Sequence, residues 1–358
     1  MVRRNVGEGF PSPHPLSPAI ALRPYLGNLT VAAHRWPIVI MRLIPVDKLG
    51  AILPIIVAVS PLPASQIWHG QASALFNAGC YRAAVEKYDR VLQTDPADVS
   101  AWISRGYALC ELKQYAVALE SFQTAIQLAP KQSLAWHGQG IVQAKVADFT
   151  AALESFDRTI ALNDRDFKAW FNRGNALLRL NRYPEAADSF DALIQQEPNN
   201  YRAWYNRAIA LAAMRRYHDA LSCLDTTVAI RPDCHYAWTY RGILLNKLYR
   251  FRDALLSFDW SLRYRVPNPN AWYGKASTYA LQGKAPQAAQ WLRNAIAVNP
   301  NLYRVMVQTD PSFSVVLNSP EIQALIQNQR PREASDQDSL EWQQYSSLED
   351  GSNTALNF

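Results

Sequence analysis

Cysteine is scarce. The 358 residues hold four, Cys80, Cys110, Cys223 and Cys234, and none stands in a CxxC or at zinc-ligand spacing. A dithiol redox centre and a structural zinc site are therefore excluded, and small thiols buried in helices are the expectation. The chain has no G-x-x-x-x-G-K-S/T phosphate loop, no G-x-G-x-x-G behind a strand, no H-E-x-x-H and no nucleophile elbow. No catalytic residue, metal-ligand set or cofactor site follows from such a sequence. Long apolar runs are lacking too: the apolar stretch from Leu49 to Val59, even with its flanks, makes an anchor of about 16 residues where a membrane-spanning helix needs roughly 20. Charge is not gathered into a block either. The net charge is +6, and residues 61–329 carry 28 basic and 22 acidic side chains, interspersed.

What the chain does have is a period. Trp68, Trp102, Trp136, Trp170, Trp204, Trp238 and Trp272 follow one another at intervals of 34 residues, the mark of a repeat array. With each tryptophan at repeat position 4, the units start at Ser65, Val99, Ser133, Phe167, Tyr201, His235 and Pro269, and the seventh ends near Leu302. Position 8 is small (Ala72, Gly106, Gly140, Gly174, Ala208, Gly242, Ala276) and position 20 is alanine (Ala84, Ala118, Ala152, Ala186, Ala220, Ala254, Ala288), so two helices can approach closely there. Position 24 is large and apolar (Tyr88, Phe122, Phe156, Phe190, Leu224, Phe258, Leu292). Position 32 is proline in five repeats (Pro96, Pro130, Pro198, Pro232, Pro300), a stop signal after a helical run. Burial of about 150–250 Å² per tryptophan stabilises by at most roughly 4–6 kcal/mol, which places all seven in the expected core. The departures are Asp164 at position 32 of repeat 3, Val266 followed by Pro267 in repeat 6, and Gln143 at the usually apolar position 11 of repeat 3.

This pattern of tryptophan, small residue, alanine, aromatic and proline resembles the tetratricopeptide repeat over residues 65–302, in the style of bacterial and particularly cyanobacterial arrays. The resemblance implies an all-α fold, a right-handed α-solenoid of helix-turn-helix units. A lone hairpin of this kind cannot bury its apolar face, so stability comes from repeat-to-repeat stacking.

A second regularity links position 25 of one repeat to position 7 of the next: Asp89 with Arg105, Asp157 with Arg173, Asp191 with Arg207, Asp225 with Arg241 and Asp259 with Lys275. The sixth pair is Gln123 with Gln139, so acid and base are lost together. That covariation predicts a structural ladder of charge-assisted or amide hydrogen bonds across the repeat junctions.

Five segments emerge. Residues 1–40 are a proline-rich, unpatterned leader, with Met41 as an alternative translation start. Residues 41–64, from Met41 through an apolar stretch to Leu62-Pro63-Ala64, resemble a secretory signal or short anchor; export or anchoring and a cytoplasmic location stand as equal expectations. The array occupies residues 65–302. Residues 303–329 are expected to cap it, with Ser319 as helix N-cap, Pro320 in the first turn, and Ile322, Leu325 and Ile326 on one face. Residues 330–358 form an acidic tail with six acidic and two basic residues, expected to be disordered.

The resemblance also implies that first helices line a concave groove, with repeat positions 2, 5, 6, 9, 12 and 13 facing it. In repeats 1 to 3 these give a mixed, fairly apolar surface that includes His69 and His137, which lie two repeats apart, too distant to share a metal ion. In repeats 4 to 6 they give a basic, amide-rich and aromatic set: Lys168, Phe171, Asn172, Asn175, Arg179, Arg202, Tyr205, Asn206, Tyr236, Asn246 and Lys247. Amides can bond an extended peptide backbone, and Lys and Arg favour carboxylates. Asn172 and Asn206 resemble the asparagine ladder of peptide-holding relatives, whereas the two-carboxylate clamp of chaperone-tail binders is matched only at Asn175 and Asn206. The expected function is a non-catalytic scaffold or adaptor that binds an extended or acidic segment of a partner protein, with no small-molecule substrate. The alternatives are an RNA-binding solenoid, suggested by the calculated pI of about 9.1, and a regulatory module acting in trans on an enzyme.

Overall fold

The structure, a computed structural model, describes residues 64–327, and these are α-helices joined by short turns apart from one 3₁₀ turn. The seven repeats give fourteen helices in order: α1 (Ala64–Asn77), α2 (Tyr81–Thr94), α3 (Val99–Glu111), α4 (Tyr115–Leu128), α5 (Ser133–Lys145), α6 (Phe149–Leu162), α7 (Phe167–Arg179), α8 (Tyr183–Gln196), α9 (Tyr201–Ala213), α10 (Tyr217–Ile230), α11 (His235–Lys247), α12 (Phe251–Tyr264), α13 (Pro269–Leu281) and α14 (Ala285–Val298). After them come α15 (Pro300–Thr309), the 3₁₀ turn Pro311–Phe313 and α16 (Pro320–Gln327). Each helix packs on the next in sequence, and first helices of adjacent repeats also meet directly, so the array curves with its first helices inside. The leader, the signal-like segment and the acidic tail lie outside the described residues.

Local sequence sets the boundaries. Four of the first helices are opened by a side-chain cap at position 34 of the preceding repeat: Asp98, Asp166, Asn200 and Asn268 accept from the backbone N–H of Ala101, Ala169, Ala203 and Ala271, whereas Gln132 and Cys234 at the same position make no such bond. Each first helix then closes at position 15 with a residue in the left-handed region. Gly79 and Gly283 fill it at φ +76° and +71°, but Lys113, Ala147, Asn181, Arg215 and Tyr249 hold it at φ between 56° and 63°. The N–H of position 16 then bonds the carbonyl of position 11, as in Asp148 to Gln143 at 2.9 Å and Arg182 to Leu177 at 2.9 Å, the closure of a Schellman turn. Side chains with a Cβ are strained there. Ala147, exposed and eight residues from the nearest ladder position, is the cleanest test: Ala147→Gly is expected to raise unfolding stability by about 0.5–1 kcal/mol, read from the urea midpoint, with the relief of strain outweighing glycine's added unfolded-state freedom.

The interior follows one rule of size. Position 24 rings lie directly over position 8, and an added Cβ on Gly106, Gly140, Gly174 or Gly242 would stand 2.6–2.7 Å from Phe122, Phe156, Phe190 or Phe258. Glycine occurs at position 8 in the four repeats with phenylalanine at position 24, and alanine occurs where position 24 is Tyr88, Leu224 or Leu292. The two positions therefore conserve volume jointly within each repeat.

Trp68, Trp102, Trp170, Trp204, Trp238 and Trp272 pack against the core clusters without being enclosed by them. All seven are half-buried, because a large amphipathic indole sits best with its ring on the core and its N–H at the rim. The indole N–H of Trp102, Trp136, Trp204 and Trp238 donates to the carbonyls of Pro96, Pro130, Pro198 and Pro232 at 2.8–2.9 Å, and Trp170 reaches Asp164 in the same way. Only a backbone carbonyl is needed, so Asp164 substitutes for proline without loss of the bond.

At the C-terminal end α16 rests on α14. Phe313, Ile322 and Ile326 are buried in one cluster with Leu292 and Ile296. The expected cap at Ser319 does not form: its hydroxyl is buried without a hydrogen-bond partner, and only its carbonyl serves the helix, accepting from Gln323 N–H.

Candidate functional site

The junctions come first, because they fix how the first helices present their inner faces. Asp89–Arg105, Asp157–Arg173, Asp191–Arg207, Asp225–Arg241 and Asp259–Lys275 meet at 2.7, 2.6, 2.5, 2.7 and 2.5 Å. Each arginine also uses a second nitrogen on position 23 of its own repeat: Ser121, Ser189 and Ser257 for Arg105, Arg173 and Arg241, and the Cys223 thiol for Arg207. Its guanidinium further lies over the tryptophan of the same repeat, 5.7 Å from Trp102 and 5.9 Å from Trp170. Repeat 7 exchanges both partners, and the Lys275 ammonium stands 3.7 Å from the centre of the Trp291 ring at position 23. Repeat 3 lacks the base. Its Gln139 Oε1 is buried without a partner, contrary to the expected amide bond with Gln123, and Ser155 instead donates to Gln143 at 2.7 Å. Gln143 therefore replaces an apolar residue at position 11 because the serine of this repeat has no arginine to serve.

The inner face divides the eleven groove candidates into two groups. Lys168, Arg179, Arg202 and Lys247 are exposed. They form two rows, at positions 2 and 13, about 16 Å apart along each helix at 1.5 Å per residue. Arg202 rests on Tyr201, whose hydroxyl it meets at 3.1 Å, and Arg179 lies over the Phe149 ring at 5.4 Å. Phe171 and Tyr236 are half-buried between the rows. Tyr205 is instead core, edge-on to Tyr236 and Tyr240 at 4.8 and 6.1 Å, and burial pushes its phenol pKa far up.

All four asparagines are buried between neighbouring first helices, a correction to the expected peptide-holding ladder. Asn206 Nδ2 donates to Asn175 Oδ1 at 2.9 Å, linking α9 to α7. Asn246 accepts from Thr278 at 3.0 Å, linking α11 to α13. Asn172 Nδ2 donates to His137 Nε2 at 3.3 Å, linking α7 to α5. Asn175 Nδ2 is buried with no partner.

His137 is the node that composition alone did not reveal. With Nε2 accepting from Asn172, its proton sits on Nδ1, which donates to Asp166 Oδ2 at 2.8 Å. Asp166 also caps α7. Burial pushes its pKa up, but the hydrogen bonds from His137 and from the backbone N–H groups of Ala169 and Lys168 outweigh that and hold it below the usual carboxylate range. The matching pair in repeat 1, His69 and Asp98, is open at 3.8 Å and borders a cavity of about 260 Å³ lined by Ser65, Gln66 and Ser100. The signal in the sequence that could have found both pairs is the coincidence of histidine at position 5 with aspartate at position 34. No metal-binding cluster of three or more His, Cys, Asp or Glu occurs among the described residues, and all four thiols are free.

A curved α-solenoid of helical hairpins, with charged ties at five of its six repeat junctions and two exposed basic rows on its first helices, defines a repeat module built for macromolecular contact. Tetratricopeptide repeat patterns match residues 69–133, 137–201 and 247–301, and a second pattern of the same description matches 177–242. The chain belongs to the tetratricopeptide repeat family. No curated protein matches it. Among solved structures, the C-terminal part of a TPR repeat-containing protein from Cytophaga hutchinsonii is 15% identical and aligns with 65% of this chain and 95% of its own at TM-score 0.55. A tetratricopeptide repeat protein from Parabacteroides merdae is also 15% identical, over 74% of this chain and 97% of its own, at TM-score 0.51. YrrB, described as a TPR protein with an unusual peptide-binding site, is 26% identical over 48% of this chain and 88% of its own, at TM-score 0.44.

Proposed function

We infer that this chain is a non-catalytic adaptor whose inner groove over repeats 4 to 6 holds an extended acidic segment of a partner protein. The tetratricopeptide fold is a protein-interaction module, which sets the class. The finer reading is carried by the two basic rows: Lys168 and Arg202 along one rim, Arg179 and Lys247 along the other, all exposed. A segment running across the first helices lies between the rims, within reach of long Lys and Arg side chains on both sides. Phe171 and Tyr236 offer apolar area to its side chains. The buried asparagines serve the groove indirectly, by locking the helices that carry the basic residues. Asn175 Nδ2 lacks a partner inside the protein.

The test is a titration of fluorescein-labelled acidic peptides, such as an alternating Glu/Leu decamer, followed by anisotropy. Lys168→Glu with Arg202→Glu is expected to weaken binding at least about tenfold, equivalent to about 1.4 kcal/mol, and the wild-type affinity to fall with added salt. Equal affinity of the wild-type and the double variant would overturn the reading.

A further inference from the structure

The second helices of the repeats form the outer face, and position 22 of that face is polar in repeats 1 to 5: Glu86, Glu120, Glu154, Asp188 and Ser222. Repeat 6 departs from this. Along α12, Leu256, Trp260 and Tyr264 occupy positions 22, 26 and 30, a spacing of four that aligns them in one stripe. They are 54%, 39% and 39% exposed, and Val266 beyond the helix is 71% exposed. The rings are already ordered: Trp260 stacks on Trp238 at 5.8 Å and 22°, and Tyr264 on Trp260 at 6.2 Å and 21°. The Arg263 guanidinium stands 5.1 Å from the Trp260 ring, and Arg252, one turn before Leu256, is exposed. A contiguous aromatic and basic stripe of this kind is the composition of a binding hot spot.

The sequence contains a segment that matches it. Residues 338–350 read D-S-L-E-W-Q-Q-Y-S-S-L-E-D, and Trp342, Tyr345 and Leu348 fall three apart, the spacing that shares a helix face. Asp338, Glu341, Glu349 and Asp350 surround them, opposite in sign to Arg252 and Arg263. Reach is ample. α16 ends at Gln327 against α14, one repeat from α12. The link from Gln327 to Leu340 extends up to about 45 Å, several times the roughly 10 Å between packed helices.

We propose that the outer face of α12 docks the acidic-aromatic segment 340–349 of the chain's own tail, the Trp260–Tyr264 stack taking its aromatic side chains and Arg252 and Arg263 its acidic ones. The stripe is then a second recognition surface, separate from the inner groove, whose resident occupant is the chain's own tail. A partner that uses it carries a similar acidic-aromatic segment and must displace the tail.

Hydrogen–deuterium exchange of the full chain tests this. Amides of residues 340–349 are expected to exchange at least about tenfold more slowly than in the isolated peptide of the same sequence. Leu256→Glu with Trp260→Glu removes that protection, while Lys168→Glu with Arg202→Glu leaves it intact. Trp342→Ala with Tyr345→Ala, outside the array and so harmless to its folding, removes it as well. Three outcomes overturn the proposal: peptide-like exchange in the wild-type chain, loss of protection in the groove variant but not the stripe variant, and protection that rises with protein concentration, which would place the tail on a second copy.

Discussion

Gly174→Ala is expected to lower stability by about 1–3 kcal/mol, and adding Phe190→Leu to recover most of that loss. The new methyl would lie 2.6 Å from the Phe190 ring, closer than real side-chain carbons come, with the ring itself fully buried. The strain has no outlet, because Phe190 packs against Phe171 at 6.0 Å and is enclosed by the cluster around Leu177 and Ala208. Alanine with leucine is the arrangement already present at Ala208 and Leu224 in repeat 5, so the double variant exchanges one solution of the repeat for another. Urea denaturation followed by circular dichroism measures both steps. Additive rather than compensating effects would show that the joint volume rule is not what ties positions 8 and 24.

Asp166→Ala is expected to be still more damaging, by about 3 kcal/mol at neutral pH. It removes the cap accepted from Ala169 N–H, commonly about 1 kcal/mol. It also leaves the buried His137 Nδ1–H without its acceptor, a loss of about 1.5–3 kcal/mol for a bond to a charged group. The pH dependence has a definite sign. The folded-state pKa of Asp166 lies below its unfolded value, so its stabilisation is fully present above the unfolded value of about 3.9 and is lost as pH falls through the folded one. The gap between wild-type and variant should therefore be constant near neutrality and close on acidification below about pH 4. A gap that widened there would contradict the assignment.

These two sites show how much the sequence disclosed. The period and register came from the tryptophans alone, and the acid–base pairs at the junctions from covariation between positions 25 and 7. The matching of glycine with phenylalanine at positions 8 and 24 was equally open to inspection but reads as two separate conserved classes until the ring is seen above the missing Cβ. The tryptophans were legible as core, but their half-exposure was not, because large area suggests burial while the indole N–H needs an acceptor, and only the fold shows the preceding turn supplying one. The asparagines were beyond a one-dimensional reading. Whether Asn206 faces solvent or Asn175 depends on what the adjacent helix places opposite it, and residue type and position number are the same in either case. Gln143 is the converse case: an apparent defect in the pattern became intelligible once Ser155 was seen without an arginine.

The nodes at the repeat junctions have a mechanical consequence. Each acid–base tie joins side chains 16 residues apart in sequence, and the asparagine and histidine links span no more than 35, so each of these bonds fastens one repeat only to its neighbour. Under tension applied at its two ends, an array fastened in this way yields one hairpin at a time from its extremities, and each released hairpin can close again on the one still standing. The molecule is in effect a row of small, separately resettable latches. The latches of repeat 4, the middle one of the seven, are farthest from either pulled end and the last to open.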